Sequence, residues 1–177
     1  MDSGEDLRAR GAVRVPVERR RQPVVVDELR TDHYPFCWGC ALGTDGLGFD
    51  WTLEGDALVA RYVVPERFQG APGMAHGGVV AALLDEACGQ VVRPSLSPAV
   101  TSRLEVRYIA PVPVEEPLRV FAELTALDER RASAEATIQD ETGLLLAHAR
   151  AECVAVRPEH FLATERGRAR GLDWLPR

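Results

Sequence analysis

The sequence predicts an α+β domain in which an antiparallel sheet of about six strands is wrapped around one long central helix. Two strand-like segments come first, one segment with helical periodicity follows, and four more strand-like segments come after it. Turn residues, rather than further helices, separate the strands, which is typical of antiparallel pairing. At 177 residues the chain is long enough for one such domain with extensions.

The first two strands are predicted at residues 47–53 and 57–64. The intervening Glu54-Gly55-Asp56 suits a tight turn, so the pair should form a hairpin. Pro65 ends the second strand, and the glycine- and proline-rich residues 68–73 are predicted to form a loop.

The helix is predicted at residues 77–92, where the spacing of apolar residues changes from two to 3.6. The apolar positions are 79, 80, 83, 84, 87, 88, 91 and 92. They form a broad stripe that other structure must cover. Pro94 and Pro98 end the helix.

Four strands are predicted after the helix, because β-branched and apolar residues dominate there between proline-rich or polar turns. They span residues 99–110, 118–127, 132–139 and 144–156. In the first of them, Leu104, Val106 and Tyr108 alternate with Glu105, Arg107 and Ile109. One face of this strand is therefore the better candidate to pack on the helix.

The chain divides into three predicted regions. Residues 1–32 form an N-terminal extension that is partly disordered, since the run Arg19-Arg20-Arg21 and one short apolar stretch are its main features. Residues 33–156 form the folded domain. Residues 157–177 are a polar, peripheral C-terminal tail.

Composition excludes several functional classes. The net charge of -6 argues against nucleic-acid binding. No apolar run approaches the roughly 18–20 residues that span a bilayer, and the polar start lacks a signal peptide's pattern, so no membrane partner and a cytoplasmic location are predicted. No Gly-x-Ser-x-Gly elbow supplies a serine nucleophile, and the chain has no lysine for a phosphate-binding loop.

His76-Gly77-Gly78 stands where a loop enters the predicted helix. Two glycines leave the N–H groups of the first turn unshielded, and such a terminus can bind an anion or a developing oxyanion. Taken alone, the glycines indicate only a tight turn or close packing.

Asp85 makes a catalytic interpretation stronger. At about 100° per residue it faces nearly the same way as Gly78, on a strip of small residues formed with Ala81, Ala82 and Gly89. That strip leaves room for a substrate or a partner subunit beside a carboxylate suited to general-base chemistry. Glu86 points about 100° away and is a second candidate, although an ordinary solvated acid would also fit.

These residues resemble a known family. The glycine-rich residues 68–73, His76-Gly77-Gly78 and Asp85 look like the helix-entry signature of hotdog-fold acyl-CoA thioesterases, and residues 99–113 are similar to that family's next strand. The closest group is the phenylacetic-acid-degradation type, within the 4-hydroxybenzoyl-CoA thioesterase-like superfamily. The resemblance covers roughly residues 33–156.

The resemblance implies hydrolysis of a small to medium acyl- or aryl-CoA by a homodimer or dimer of dimers, with each active site at a subunit interface. Gly77 would supply an oxyanion-binding N–H, Asp85 would act as base or nucleophile, and Thr101 would help to place the attacking water. His76 would hold the thioester carbonyl or shape the loop. No cofactor is predicted.

Substrate contacts are predicted at Gly78, Glu86, Arg103 and Arg107. The two arginines suit the phosphates of coenzyme A, and they equally suit an exposed surface. The acyl group, the choice between coenzyme A and acyl-carrier protein, and the choice between dimer and tetramer all stay open at this stage.

Two other functions fit the same fold. A non-catalytic module that binds acyl thioesters or mediates dimerisation is the main alternative. A hotdog dehydratase is disfavoured, because its characteristic placement of histidine and acid is not evident.

Cys37-Trp38-Gly39-Cys40 contains half of a zinc site. No second cysteine pair follows at a suitable spacing, so no metal is predicted even though His33 lies close in sequence. The expected role is a loop that packs near the dimer interface or the substrate pocket.

Overall fold

A computed structural model describes residues 37–39, 46–48, 51–54 and 57–172. The predicted N-terminal extension, His33 and Cys40 lie outside the described residues. The predictions made for them therefore stay predictions.

The described chain forms eight strands and two α-helices. The strands are β1 (Trp51–Glu54), β2 (Ala57–Val63), β3 (Gln69–Ala71), β4 (Met74–Ala75), β5 (Ala99–Tyr108), β6 (Pro117–Leu127), β7 (Arg131–Asp140) and β8 (Leu145–Ala155). The helices are α1 (Gly77–Val92) and α2 (Glu165–Arg170), with short 3-10 helices at Glu66–Phe68 and Pro158–Leu162.

Six of the strands make one antiparallel sheet in the order β1-β2-β6-β7-β8-β5. The predicted hairpin is confirmed, because β1 pairs with β2 in an antiparallel register that matches Trp51 to Ala60. The strand that follows the helix, β5, lies at one edge of this sheet. Its ten residues are paired to β8 on one side within the described chain.

Helix α1 packs against five of the six strands, and its buried stripe forms the centre of the core. Leu83, Leu84 and Val91 are fully buried. The facing positions of β7 and β8 are mostly alanines, namely Ala132, Ala134, Ala136, Ala147, Ala149 and Ala151. These small side chains let α1 lie close to the sheet, and truncating a core leucine of α1 to alanine would cost about 2–5 kcal/mol.

The predicted architecture of two strands, one helix and four strands is confirmed, and the predicted bounds of the helix agree with α1. The interpretation of residues 68–73 as a loop is wrong in part, because Gln69–Ala71 pairs with Met74–Ala75 in a short two-stranded sheet. A two-residue turn with Gly73 at φ 76° joins these strands, so local glycine chemistry suggested a loop where a small hairpin forms.

The described part of the C-terminal tail contains both the second 3-10 helix and α2. Thr164 caps α2 by accepting a hydrogen bond from the Gly167 N–H at 3.0 Å. Among the described residues, no helix has the length and apolar character needed to cross a membrane.

Candidate active site

The N-terminus of α1 is capped by the side chain of the residue that precedes it. His76 Nδ1 accepts a hydrogen bond of 3.0 Å from the Gly78 N–H. A Cβ at position 78 would lie 3.1 Å from that nitrogen, so glycine permits this close cap. The Gly77 N–H, in contrast, donates to no acceptor within the described chain, and Gly77 is exposed. Of the two glycines, Gly77 is therefore the one with a donor available to a ligand.

The helix entry is held in place from two sides. The His76 N–H donates to the Phe68 carbonyl at 2.9 Å, and a Cβ at Gly70 would come within 2.9 Å of His76 Cα. From β5, the Tyr108 hydroxyl donates to the Gly77 carbonyl at 2.9 Å. The exposed glycine is thus fixed by its neighbours on both sides.

Asp85 and Thr101 are in direct contact. The Thr101 hydroxyl donates to Asp85 Oδ1 at 2.9 Å, which joins α1 to β5. A hydrogen bond to a carboxylate is stronger than one between neutral groups, so it orients Asp85 as well as Thr101. The structure thereby brings together two of the residues predicted to be catalytic.

A β-bulge places Thr101 on the helix side of the sheet. Arg103 pairs with Glu152 while Thr101 pairs with Cys153, which leaves Ser102 as the extra residue of β5. Strict alternation from the half-buried Leu104 would turn Ser102 inwards and Thr101 outwards. The bulge reverses this phase, as bulges near functional sites often do.

Thr101 lies opposite Cys153, its partner on β8, where its side chain influences the Cys153 thiol. Burial, with the Asp85 carboxylate nearby, raises the pKa of Cys153. The same two causes raise the pKa of Cys88 to about 12. Both thiols therefore stay protonated at neutral pH, which argues against a nucleophilic role for Cys153.

A cavity of about 240 Å³ opens beside Asp85 and Thr101, and we call it the Asp85 pocket. It runs along the second half of α1, past Gly89 and Gln90, towards Leu96. Phe161, from the tail predicted to be peripheral, forms part of its wall. The volume is below the 300–1,000 Å³ of typical drug-sized sites, so it suits a short or medium acyl group.

Glu86 lines the same pocket and is largely withdrawn from solvent. Its Oε1 accepts a 2.7 Å hydrogen bond from Gln90 Nε2, one helical turn further on. The pKa of Glu86 is raised to about 7, chiefly by burial and also by the nearby Cys37 and Asp85, against the opposing effects of Gln90 and Arg93. Glu86 is therefore not the solvated helix acid considered as an alternative.

The segment 37–39 covers this part of α1. The carbonyls of Trp38 and Gly39 accept hydrogen bonds from the N–H groups of Leu47 and Gly48, and a Cβ at Gly39 would collide with the Glu86 carboxylate. Cys37 lines the Asp85 pocket. The predicted placement of Cys37 near the pocket is confirmed, while that of Cys40 lies outside the described residues.

The two arginines predicted to bind phosphate lie elsewhere on this chain. Arg103 and Arg107 are 67% and 69% exposed, on the face of the sheet turned away from α1, where both approach Glu105. They do not line the Asp85 pocket. Any contact with a ligand at Asp85 would have to extend past the edge of the sheet.

A larger cavity of about 450 Å³ lies on this outer face and does not contain Asp85. Its polar centre is Glu135, which accepts hydrogen bonds from Arg150 and lies 3.3 Å from His148 Nε2. Burial raises the pKa of Glu135, but the hydrogen bonds and charges of Arg150 and His148 outweigh it and lower that pKa overall. These groups satisfy one another, and although Arg107 lines the cavity, neither Asp85 nor Thr101 does.

The predicted oxyanion donor, Gly77, and the Asp85 carboxylate of the same chain are too far apart to act together. Gly77 and Asp85 are eight residues apart, which is about 12 Å along the axis of α1. The N–H groups of the first turn also point out of the helix terminus, away from Asp85. A general base must lie within about 3 Å of the water that it activates. An oxyanion donor must likewise lie within about 3 Å of the substrate oxygen that becomes negatively charged.

A six-stranded antiparallel sheet around one long helix defines the hotdog fold. Residues 72–147 match the family model of the thioesterase superfamily, and the predicted resemblance is thereby confirmed. The match spans the end of the helix-entry loop, all of α1 and most of the sheet.

Among curated proteins, the chain is 29% identical over 99 residues to the mouse (Mus musculus) acyl-coenzyme A thioesterase THEM4. This alignment covers 54% of the present chain and 43% of the mouse protein, so the chain spans less than half of that relative's length. The comparison supports the predicted class of enzyme at the level of the family.

Solved structures agree on the fold. A thioesterase superfamily protein shares 26% identity with a TM-score of 0.57, covering 60% of this chain and 56% of that one. A phenylacetic acid degradation-related protein from Ralstonia eutropha JMP134 shares 23% identity with a TM-score of 0.56, covering 62% and 86%. The predicted hotdog fold is confirmed.

Three residues at the site were not foreseen from the sequence, namely Gln90, Cys153 and Phe161. Gln90 follows Glu86 at a spacing of four, and this helical spacing could have indicated the contact. Cys153 and Phe161 reach the site through strand pairing and through the path of the tail, for which the sequence contains no local signal.

Proposed function

We propose that this chain hydrolyses small to medium acyl- or aryl-CoA thioesters to the free acid and coenzyme A. Asp85 is the base or nucleophile, and the Gly77 N–H is the oxyanion donor. The observation that carries the proposal is the 2.9 Å hydrogen bond from Thr101 to Asp85, at the mouth of a pocket of acyl size on a thioesterase fold.

The chemistry needs one water and two protein functions. In the general-base route, Asp85 takes a proton from water as its oxygen attacks the carbonyl carbon, and the oxyanion that forms accepts from Gly77. Collapse of this intermediate breaks the carbon–sulfur bond, and the proton passes to the departing thiolate. In the nucleophilic route Asp85 itself attacks the carbonyl carbon, the intermediate expels the coenzyme A thiolate, and water then hydrolyses the resulting anhydride to the free acid and the Asp85 carboxylate.

Thr101 supports both routes in the same way. Its one hydroxyl proton points at Asp85 Oδ1, which leaves Oδ2 for the water or the carbonyl carbon. An oriented carboxylate needs less rearrangement at the moment of reaction. His76 contributes by capping α1, which fixes the turn that presents the Gly77 N–H.

We propose that the complete site is shared between two copies of the chain, in a homodimer or dimer of dimers. The 12 Å between Gly77 and Asp85 supports this, because one copy would supply the donor and the other the carboxylate. The edge of β5, where Tyr108 is 58% exposed, is the surface best suited to pairing with a second copy. We expect the protein to act in the cytoplasm.

The test is Asp85→Asn, assayed with a panel of acyl-CoAs and a thiol reagent. The amide is nearly isosteric, so assembly and substrate binding should survive. It can neither accept the proton of water nor form an anhydride, and kcat should fall about 10²–10⁴-fold with little change in KM.

Glu86→Gln distinguishes the two neighbouring acids. We expect it to lower kcat for unsubstituted acyl-CoAs by less than tenfold. Wild-type turnover in Asp85→Asn together with a dead Glu86→Gln would make Glu86 the base. No turnover of any thioester by the wild type, alongside measurable binding, would favour the non-catalytic binding module.

A further inference from the structure

We infer that the Asp85 pocket is built for an acyl group that carries a hydroxyl a few carbons from the thioester, and that Glu86 and Gln90 recognise this hydroxyl. The inference deepens the proposed function and rests on it. It comes from a polar pair in the pocket that hydrolysis of a plain alkyl thioester does not require.

The pair is unusual for its surroundings. Gln90 is only 3% exposed, and among the residues that the structure describes it is the one polar or charged side chain buried so deeply. Its hydrogen bond to Glu86 uses one amide N–H of Gln90 and one carboxyl oxygen of Glu86. Burying an amide and a carboxyl costs roughly 1–3 kcal/mol each where hydrogen bonds are missing, so a pocket for a hydrocarbon chain would be better lined with apolar residues.

The position of the pair fits a substituent on the acyl chain. Gln90 lies five residues beyond Asp85, about 7.5 Å further along α1, and the pocket runs in that direction. An extended chain gains roughly 1.2 Å per bond. With the thioester carbon at Asp85, the third to sixth carbons of the acyl group would pass Glu86 and Gln90.

The chemistry of the pair favours an uncharged hydroxyl. One N–H of Gln90 is used on Glu86, which leaves a second N–H and the amide oxygen, and a neutral Glu86 can both donate and accept. A carboxylate on the acyl chain would be attracted by Arg93, which also lines the pocket, but repelled by Asp85, whereas a hydroxyl needs neither charge. An ammonium would need an ionised Glu86, and burial together with the Asp85 charge opposes that ionisation.

The rest of the wall suits the carbon chain. Val92, Leu96 and Phe161 line the pocket as apolar side chains, together with the charged Arg93. The resulting site is apolar overall with a few placed polar groups, which is how small-molecule sites obtain orientation and specificity.

The experiment compares hexanoyl-CoA with 3-hydroxyhexanoyl-CoA and 5-hydroxyhexanoyl-CoA. Wild-type kcat/KM is measured for all three, and Kd is measured for all three with Asp85→Asn, which prevents turnover. We expect at least one hydroxylated substrate to be favoured about 10–100-fold. The preference is smaller than the 10⁴ possible at sites with wholly unpaired groups, because Glu86 and Gln90 partly satisfy each other.

Glu86→Leu and Gln90→Leu should reduce this preference to about one, and Glu86→Gln should retain most of it, since the amide still forms hydrogen bonds. Thermal unfolding identifies any variant that fails to fold, and Glu86→Gln then provides the comparison. A wild-type preference for hexanoyl-CoA over both hydroxylated forms would overturn the inference, as would a ratio that the leucine variants leave unchanged. If no thioester is turned over, the proposed hydrolysis fails, and the three Kd values still decide whether the pocket recognises the hydroxyl.

Discussion

Glu86 should make the folded protein less stable as the pH rises from about 4.5 to about 7. Burial raises its pKa from an ordinary 4.5 to about 7, so between these values the folded state holds a proton that the unfolded state has released. The stabilisation of the folded state by protonated Glu86, relative to the folded state with Glu86 ionised, is fully present below pH 4.5. It is lost as the pH rises through the folded pKa.

The size of the effect follows from the shift. At 1.36 kcal/mol per pKa unit, a rise from 4.5 to about 7 corresponds to at most about 3 kcal/mol. Glu86→Gln removes this titration and keeps a hydrogen bond to Gln90. The variant should therefore gain stability relative to wild type as the pH rises. For a domain of roughly 120 residues, 1 kcal/mol corresponds to about 3–5 °C in Tm.

The assay is denaturant unfolding of both proteins at matched concentration between pH 4 and 8. Asp128, Asp140 and Glu135 have lowered pKa values, and the stability that they contribute is lost as the pH falls. Both proteins share these groups, so they cancel in the difference. A difference in unfolding free energy that stays constant across this range would refute the buried, proton-holding Glu86.

Three further predictions concern the catalytic contact, the assembly and the cysteines. Thr101→Val removes the donor to Asp85 and should lower kcat about 10–100-fold, while Thr101→Ser should retain most of it; equal loss in both would point to packing instead. Light scattering at micromolar concentration should give a dimer or larger assembly, and a particle near 19.4 kDa would contradict the shared site. Tag-free protein should contain no stoichiometric zinc at Cys37 and Cys40, and about one equivalent in elemental analysis would overturn that expectation.

The sequence alone determined the order of elements and the phase of the central helix. Both are carried by local periodicity: the spacing of 3.6 at residues 77–92 fixed the bounds of α1 and the relation of Asp85 to Gly78. The resemblance then predicted His76, Gly77 and Thr101 as site residues. None of these inferences needed a contact between distant parts of the chain.

The contacts around Asp85 were decided by the tertiary structure. The bulge at Ser102 sets which face Thr101 occupies, and it depends on the pairing of β5 with β8 rather than on β5 alone. Burial of Glu86 likewise depends on segment 37–39 and on the residues that line the pocket, many of which are distant from Glu86 in the sequence. A pattern with the period of a strand or a helix records which face is apolar. It does not record which residues pack on that face, and those residues determine the environment of a carboxylate.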